Sequence, residues 1–283
     1  MLSMQPQLRP RAGGVGPRPT GSMATLLRAL LAHKRGEPRV CSMVRTPTPE
    51  DEDRRRICRE RKVLIMERVQ HVNRIKGLLF SQGASGYEPL RRDRRARLDA
   101  LQTGDGRRLP QHLKAQVCRE LDRLELLLEQ IKAVEAERDT LLTQQTKASA
   151  PPPMLLGVHG VGPEFASVLW SEGLSRHFDN RRQVAAYAGL APTPWQSGSV
   201  NREQGISQSG NPRLRTMMIQ LAWLWLRHQP RSALTLWFQD RIERNGGRRR
   251  KTTIVALARK LLVALWKYVS AGVVIEGAMI RPA

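Results

Sequence analysis

The sequence predicts a mainly α-helical fold, in which long helical or coiled-coil arms precede a compact helical domain with a helix-hairpin-helix element and a short hairpin-like loop. Two observations support this prediction. Apolar residues recur at helical spacing through most of the chain, and residues that cap helices stand in front of these runs. A chain of 283 residues with 40% hydrophobic content can bury a substantial core.

The composition divides the chain into three parts. Residues 1–21 are rich in Pro, Gly and Arg and show no period, which predicts a disordered basic N-terminus. Residues 22–150 carry long helical patterns and form the predicted helical linker and coiled-coil region. The segment "TKASAPPP" marks the boundary to a C-terminal domain, residues 151–283.

The helical region begins with a short amphipathic helix, "SMATLLRALLAHKRG", which Ser22 can cap and Gly36 can end. A long helix is then predicted from Thr48 to about Phe80. Thr48 suits the N-cap, Pro49 suits the first helical position, and the acidic residues that follow favour the positive end of the helix dipole. The segment "LRRDRRARLDAL" predicts a further, basic helix.

A second long helix is predicted after Pro110 and runs to about Thr146. Its apolar positions have the 4-3-4-3 spacing that is typical of a coiled-coil seam. These positions are Val117, Leu121, Leu124, Leu128 and Ile131. Two arrangements fit this seam equally well: an antiparallel hairpin with the preceding long helix, or a dimer zipper between two copies of the chain.

The C-terminal domain is predicted to contain several shorter helices. They lie near residues 163–171, 180–188, 211–228, 232–245 and 251–270. Trp223, Trp225 and Trp237 fall on two of these helices, where their spacing favours core and helix contacts over a platform for stacking bases.

The charge of the chain indicates a polyanionic partner. There are 48 Lys and Arg against 25 Asp and Glu, which gives a formal charge of +23, and the planar fork of arginine suits phosphate groups. Nucleic acid is therefore favoured over an acidic protein. A membrane partner is not expected, because the longest apolar run, "MMIQLAWLWL", is about half the length of a membrane-spanning helix.

The cysteines and the N-terminal sequence indicate the cellular compartment in which the protein is expected. The three cysteines lie far apart without a CxxC pair, which argues against a zinc site and against a disulfide framework. No apolar segment followed by a cleavage site stands at the N-terminus, so export is not expected. We expect a bacterial cytoplasmic protein that associates with the nucleoid.

Two segments are candidates for phosphate contacts. In "MLLGVHGVGPEFASVLWSEG", the run Gly160, Val161 and Gly162 predicts a helix-hairpin-helix turn whose backbone approaches a DNA phosphate. An ordinary turn between two helices is the alternative. Arg181 and Arg182 occupy the first turn of the next predicted helix, where cations suggest a bound anion. A solvated helix end is the alternative there.

The stretch "GLAPTPWQSGSVNREQGISQSGNPRLR" predicts a short hairpin or protruding loop, because turn residues stand at both of its ends. A serine among arginines can attack a phosphodiester while the cations stabilise the charge on the transferred phosphoryl group. The cations expected in this role are Arg202, Arg213 and Arg215. The alternative is that Ser and Gly are simply common loop residues.

The motifs GxG, "FDNRRQVAAYAGLAP", "QSGS" and "ISQSGNPRLR" occur in the order and spacing of one known family. From about Ser22 to Gly272, the chain resembles the transposases of the insertion-sequence 110, 116 and 902 type. The resemblance implies that Ser197 is the nucleophile, which forms a covalent phosphoserine with DNA. It makes Ser199 the nearby alternative.

The same resemblance implies an N-terminal RuvC-like nuclease domain with an Asp-Glu-Asp-Asp site for Mg²⁺, and a guide RNA in some members. No Asp or Glu precedes Glu37, so we expect an N-terminally truncated chain that lacks this domain and holds no metal or cofactor of its own. The carboxylates Glu164 and Glu172 are interpreted as helix caps or surface pairs. The expected partners are DNA and, as in some members of the family, a guide RNA. Further copies of the chain or a complete transposase subunit are also expected.

The leading hypothesis is a truncated DNA transposase or site-specific recombinase that transfers strands through a phosphoserine intermediate. Whether this chain is an active enzyme by itself stays open at this point. One alternative is a non-catalytic helix-hairpin-helix protein or regulatory remnant that binds nucleic acid without chemistry. Another is an assembly subunit that acts through the seam between Val117 and Ile131.

Overall fold

The structure is a computed structural model that describes residues 7–8, 23–37, 41–42, 47–144, 151–197, 200–207, 209–247 and 249–281. The described residues are mainly helical, as the sequence predicts. In chain order the elements are β1 (Gln7–Leu8), α1 (Met23–Lys34), β2 (Cys41–Ser42), α2 (Pro49–Phe80), α3 (Arg94–Asp99), α4 (Gln111–Thr143), α5 (Pro151–Gly157), α6 (Pro163–Leu169), a π-helical turn (Trp170–Leu174), α7 (Arg181–Tyr187), β3 (Pro192–Ser197), β4 (Val200–Ile206), α8 (Pro212–His228), α9 (Ala233–Arg244) and α10 (Arg250–Ala271).

The long helix α2 begins and ends where its sequence predicts. The Thr48 hydroxyl accepts a hydrogen bond from the Asp51 backbone N–H at 3.2 Å, and the Asp51 carboxylate accepts one from the Thr48 backbone N–H at 3.3 Å. This reciprocal capping box satisfies two backbone donors at the start of the helix, and Pro49 supplies a fixed φ there. The basic segment after α2 is helical only in α3.

The seam on α4 is covered by α2 within the same chain. Val117 and Leu121, near the start of α4, are fully buried with Ile75 and Leu79, near the end of α2. Farther along, Leu64 of α2 is buried in a cluster that α4 completes. The two helices are therefore antiparallel, and the hairpin arrangement of the seam is the one observed.

The buried face of α4 continues beyond the predicted seam. Arg138 is buried and contacts Glu164 of α6, with 2.9 Å between Nη1 and Oε2. Arg61 of α2 contacts the same carboxylate at 3.0 Å. Glu164, interpreted from the sequence as a helix cap or surface pair, stands in the first turn of α6 and forms ion pairs that join both arms to this helix.

The open end of the helical hairpin also packs on the π-helical turn. The buried Arg55 guanidinium donates from Nε to the Ser171 carbonyl at 3.0 Å, and the Cys58 thiol lies 3.0 Å from the Ser167 hydroxyl. Burial raises the pKa of the Cys58 thiol, although its hydrogen bond with Ser167 opposes this effect. Contacts of this kind hold the arms against the C-terminal helices.

The C-terminal helices share one core. Apolar side chains from α5 to α10 form it, with Leu169, Met218 and Leu261 completely buried. Trp225 is also buried, and its indole N–H donates to the Ser232 hydroxyl at 2.8 Å, in agreement with the expected core role. Trp223 is different, because 39% of its surface is exposed.

Parts of the predicted domain division lie outside the described residues. In the N-terminal 1–21 segment, Gln7 and Leu8 pair with β2, and the rest of that segment is not described. Residues 146–150 of the predicted boundary are likewise outside the description, while the prolines from Pro151 form the first turn of α5. The division at about residue 150 stays a prediction. None of the described helices combines the length and apolar character needed to cross a membrane.

Candidate functional site

The Ser-rich segment forms the predicted hairpin, with two antiparallel strands among the described residues. Its register places Ser197 opposite Val200 and Trp195 opposite Arg202. Ser197 is the last residue of β3, at the tip end of the hairpin. Ser199 lies outside the described residues.

A β-bulge shapes the hairpin near its base. The register shifts between Pro192 and Pro194, and Gly205 on the opposite strand has φ +88°. A residue with a side chain rarely adopts this conformation, so glycine suits the bulge.

The base of the hairpin is fixed between α7 and α8. The Ser207 backbone N–H donates to the Ala191 carbonyl at 2.9 Å, and the Asn211 backbone N–H donates to the Tyr187 carbonyl at 2.7 Å. Between them, Gly210 has φ +120°, and a Cβ at this position would lie 2.3 Å from the Tyr187 carbonyl oxygen. Only glycine fits this close approach of two backbones, so the loop has a defined root.

Asn211 joins the hairpin root to the first turn of α8. Its side-chain Oδ1 accepts hydrogen bonds from the backbone N–H groups of Arg213 and Leu214, at 3.0 and 3.2 Å. Its side-chain Nδ2 donates to the Glu172 carboxylate at 2.9 Å. The first contact caps the helix, as expected of Asn before Pro. The second was not predicted.

Glu172 is a buried carboxylate, which corrects its interpretation as a cap or surface residue. Only 2% of its side chain is exposed. Arg59 of α2 contacts it with 3.2 Å between Nε and Oε1, and Arg213 lies 3.8 Å from the same oxygen. Cations from the arm and from α8 therefore share one carboxylate, whose charge would otherwise be costly to bury.

The predicted phosphate-contacting arginines around the hairpin differ in their surroundings. Arg213 has the internal Glu172 partner, with 37% of its side chain exposed. Arg215, two residues farther along α8, is half-buried. Arg202 is placed by its backbone, in β4. The structure thus brings Ser197, Arg202 and the start of α8 to one connected unit, the hairpin and its root.

Arg181 and Arg182 lie at the other end of α7 from this root. Both are exposed, and Asn180 caps their helix by accepting from the Arg182 and Gln183 backbone N–H groups at 3.0 and 3.1 Å. A seven-residue helix is about 10 Å long. The two arginines are therefore displaced from the hairpin root by roughly that length.

The turn at Gly160 to Gly162 packs against the opposite end of α8. Gly160 has φ +90°, and a Cβ there would lie 2.8 Å from the His228 Cβ. The alternative of an ordinary tight turn thus accounts for Gly160, and the helix-hairpin-helix interpretation stays a prediction. His228 follows Arg213 by fifteen residues, which corresponds to about 22 Å along the helix axis. The turn and the hairpin are two separate regions.

The described residues do not fit the Mg²⁺ ion that the family resemblance implies. No group of three or more His, Cys, Asp or Glu within them could hold a metal. Glu164 and Glu172 are each engaged by two arginines, whose charges would repel a cation. Hard divalent ions need several free oxygen ligands, which these carboxylates do not offer.

The last helices carry much more excess positive charge than the helical arms. Residues 212–283 contain 14 Lys and Arg against three Asp and Glu, whereas residues 49–144 contain 21 against 17. Many arginines of the arms form ion pairs, such as Arg95 with Asp122 and Glu125. Of these two parts of the chain, the C-terminal helices therefore attract a polyanion more strongly.

The chain is similar in sequence to known proteins. The family described as "Transposase IS116/IS110/IS902 family" matches residues 153–237. A Sinorhizobium fredii (strain NGR234) protein named "Putative transposase y4rJ" is 73% identical over 266 residues, which cover 91% of this chain and 67% of that protein.

More distant relatives cover similar shares. The "Probable family 20 transposase" of Pseudomonas aeruginosa is 32% identical over 215 residues, 75% of this chain and 62% of its own length. The "Transposase for insertion sequence element IS1111A" of Coxiella burnetii is 31% identical over 232 residues, 79% of this chain and 60% of its own length. The chain therefore spans about two thirds or less of these relatives, and it belongs to the IS116/IS110/IS902 family of insertion-sequence transposases.

Proposed function

We propose that this chain binds DNA and transfers DNA strands during transposition of an insertion sequence, with Ser197 as the nucleophile. The observation that supports this most is the rooted hairpin, which carries Ser197 at the end of β3 and is fixed to the start of α8. A nucleophile on a shaped support is held in position for attack, which lowers the entropic part of the barrier.

The proposed step exchanges one ester bond for another. The Ser197 oxygen forms a bond to a DNA phosphorus and loses its proton, and one of the phosphorus–oxygen bonds of the DNA backbone breaks, so that the released oxygen takes up a proton as a hydroxyl. Arg202, Arg213 and Arg215 would stabilise the charge on the phosphoryl group. Ser199 is the alternative nucleophile.

Arg181, Arg182 and Gly162 would contact the backbone of the same DNA farther from the reaction, whereas Val161 is buried in the core. Arg181 and Arg182 are exposed, and Gly162 of the turn has open space around it. The turn lies about 22 Å from Arg213 along α8, which equals about six nucleotide steps of a DNA strand. Such contacts position DNA without reading its sequence.

The proposed partners follow from the family resemblance. They are DNA, a guide RNA as in some members, and other transposase subunits, with nucleoid association as a consequence of DNA binding. The Mg²⁺ site of a RuvC-like domain would have to come from residues other than those described, for instance from a complete transposase subunit. No step is assigned to the metal within this chain.

Covalent trapping tests the proposal. The chain is incubated with DNA of the element's ends, with and without a complete transposase subunit, and then denatured and resolved by electrophoresis. We expect an adduct that Ser197→Ala abolishes and Ser199→Ala retains. An adduct that persists in Ser197→Ala but disappears in Ser199→Ala would assign the nucleophile to Ser199.

A non-catalytic nucleic-acid-binding role is the second candidate, favoured by the charge excess of residues 212–283. It predicts DNA affinity that falls steeply with salt, with a log-log slope of about −0.9 for each phosphate contact. It also predicts that neither serine variant changes the products. A flat salt response would contradict both candidates.

A further inference from the structure

A cluster of exposed cations surrounds the turn between α9 and α10. We call it the basic corner. Its described members are Arg241, Arg244, Arg249, Arg250 and Lys251, all exposed. Arg248 adds another cation in the sequence but lies outside the described residues.

Most of this charge is not neutralised within the described part of the protein. Arg244 contacts Asp240, with 2.8 Å between Nε and Oδ1. For the other described cations of the corner, no described carboxylate lies within the 4.0 Å of a salt bridge. Exposed Glu243 is the other acid in this stretch of chain. Like charges at this density destabilise the fold unless an anion balances them.

The start of α10 adds to this electrostatic imbalance. Arg249 stands at the N-cap, makes no side-chain capping bond, and is followed by Arg250 and Lys251 in the first turn of a 22-residue helix. The N-terminus of a helix is its positive end, so cations there are unfavourable in the absence of an anion. No acidic residue occupies this first turn.

Two tryptophans beside the corner are covered by cations. The Arg250 guanidinium lies 5.4 Å from the centre of the exposed Trp223 ring, and the Lys260 ammonium lies 4.6 Å from the Trp237 ring. Cation–π contacts of this kind hold the cations in place. They also occupy one face of each ring, which leaves a poor platform for stacking the bases of a single strand.

We propose that the basic corner binds the sugar-phosphate backbone of duplex DNA, separately from the serine hairpin. We expect contacts with phosphates because the corner offers exposed cations, whereas stacking of bases needs aromatic rings whose faces are not covered by cations. The identity of the polyanion rests on the proposed function. Trp223 follows Arg213 by ten residues, about 15 Å along α8, so one duplex can reach both regions.

Anisotropy of a labelled duplex of arbitrary sequence tests the basic corner in the full chain. The test variant is Arg241→Ala/Arg249→Ala/Lys251→Ala. The control variant, Arg92→Ala/Arg119→Ala/Lys132→Ala, removes the same residue types from exposed positions on the arms. Circular dichroism establishes that both variants fold and melt as the parent does.

We expect the corner variant to lose at least tenfold in affinity at moderate salt, and its log-log salt slope to become shallower by about 2.7, which is 0.9 for each of three lost contacts. The control should stay within twofold. An unchanged corner variant, or an equal loss in the control, would overturn the proposal. So would a loss confined to single-stranded RNA of equal length.

Adduct formation separates this proposal from the strand-transfer proposal. At saturating DNA, the corner variant should still form the Ser197 adduct, because its serine and hairpin are unchanged. If the parent chain forms no adduct but the corner variant still loses duplex affinity, strand transfer fails and the basic corner stands. If the adduct forms and duplex affinity is unchanged, only the basic corner fails.

Discussion

The Asn211 side-chain amide donates a hydrogen bond to the buried Glu172 carboxylate, with 2.9 Å between Nδ2 and Oε2. The same side chain caps α8 through Oδ1. Ser or Asp could provide the cap equally well. Asn caps the helix with its carbonyl oxygen and donates to the carboxylate from its separate amide nitrogen, so this position is defined by two elements at once.

Replacement of Asn211 by Asp should therefore destabilise the protein although the cap remains. Asn211→Asp places a second carboxylate against Glu172, and we expect a loss of about 1 to 3 kcal/mol in the free energy of unfolding. Urea denaturation followed by circular dichroism measures it. Adding Glu172→Gln should recover part of the loss, because the new amide can donate to Asp at position 211. Equal stability of Asn211→Asp and the parent would contradict the role of this contact.

The two glycines of the turn before α6 should respond differently to substitution. Gly160→Ala introduces a Cβ 2.8 Å from His228 at φ +90°, which should cost about 1 to 3 kcal/mol of stability. Gly162→Ala meets nothing within 4 Å, so its melting temperature should change little. If the turn contacts DNA through its backbone, Gly162→Ala should weaken duplex binding while it leaves stability intact. Unchanged binding would remove the turn from the proposed interface.

The packing of α2 on α4 predicts the effect of a seam mutation. Leu121 is fully buried, so Leu121→Ala should lower the free energy of unfolding by about 2 to 5 kcal/mol. Leu126, which is 56% exposed on the same helix, provides the control through Leu126→Ala. Light scattering then measures the mass of each variant. If Leu121→Ala dissociates a larger assembly and leaves the stability of the monomer unchanged, the seam is a zipper between chains.

The carboxylate of Glu120 should make stability depend on acidic pH. Burial of Glu120 raises its pKa, but hydrogen bonds from His71 at 2.6 Å and from Arg74 at 3.2 Å outweigh it, so the pKa is lowered from the ordinary 4.5. The stability that this group contributes is present above the pKa of the unfolded chain and is lost as pH falls through the lower folded-state pKa.

Unfolding measured from neutral pH down to below about pH 4 tests this dependence. Glu120→Gln should flatten the decline of stability with falling pH, because the group that takes up a proton on unfolding is gone. Exposed Glu129 offers the control Glu129→Gln. A decline of unchanged steepness in Glu120→Gln would show that other carboxylates cause it.

Features that depend on neighbouring residues could be predicted from the sequence. The start of α2 at Thr48 and Pro49 and the cap of α8 at Asn211 follow from side chains that bond to backbone a few residues away. The hairpin around Ser197 followed from turn residues at its ends. These interactions act within one turn of helix or one hairpin, so local patterns contain them.

Features that depend on distant residues could not be predicted. Glu172 contacts Asn211, 39 residues away in the sequence, and Arg59, 113 residues away. The residues next to Glu172 in the sequence do not distinguish it from an exposed glutamate. The seam on α4 has one spacing whether its partner is α2 or another chain. The turn at Gly160 is far from Arg213 because it packs on the other end of α8, at His228. The spacing of residues within either segment does not contain this information.

The fixed root of the hairpin has a consequence for sequence variation. The Ala191–Ser207 hydrogen bond and the tight passage at Gly210 hold both ends of the segment on the helical core. Insertions or deletions between Ser197 and Val200, away from this root, would leave the hydrogen bonds of the root in place. A change in the length of the hairpin would therefore alter how far it extends while the helical scaffold stays the same, provided that Gly210 is kept.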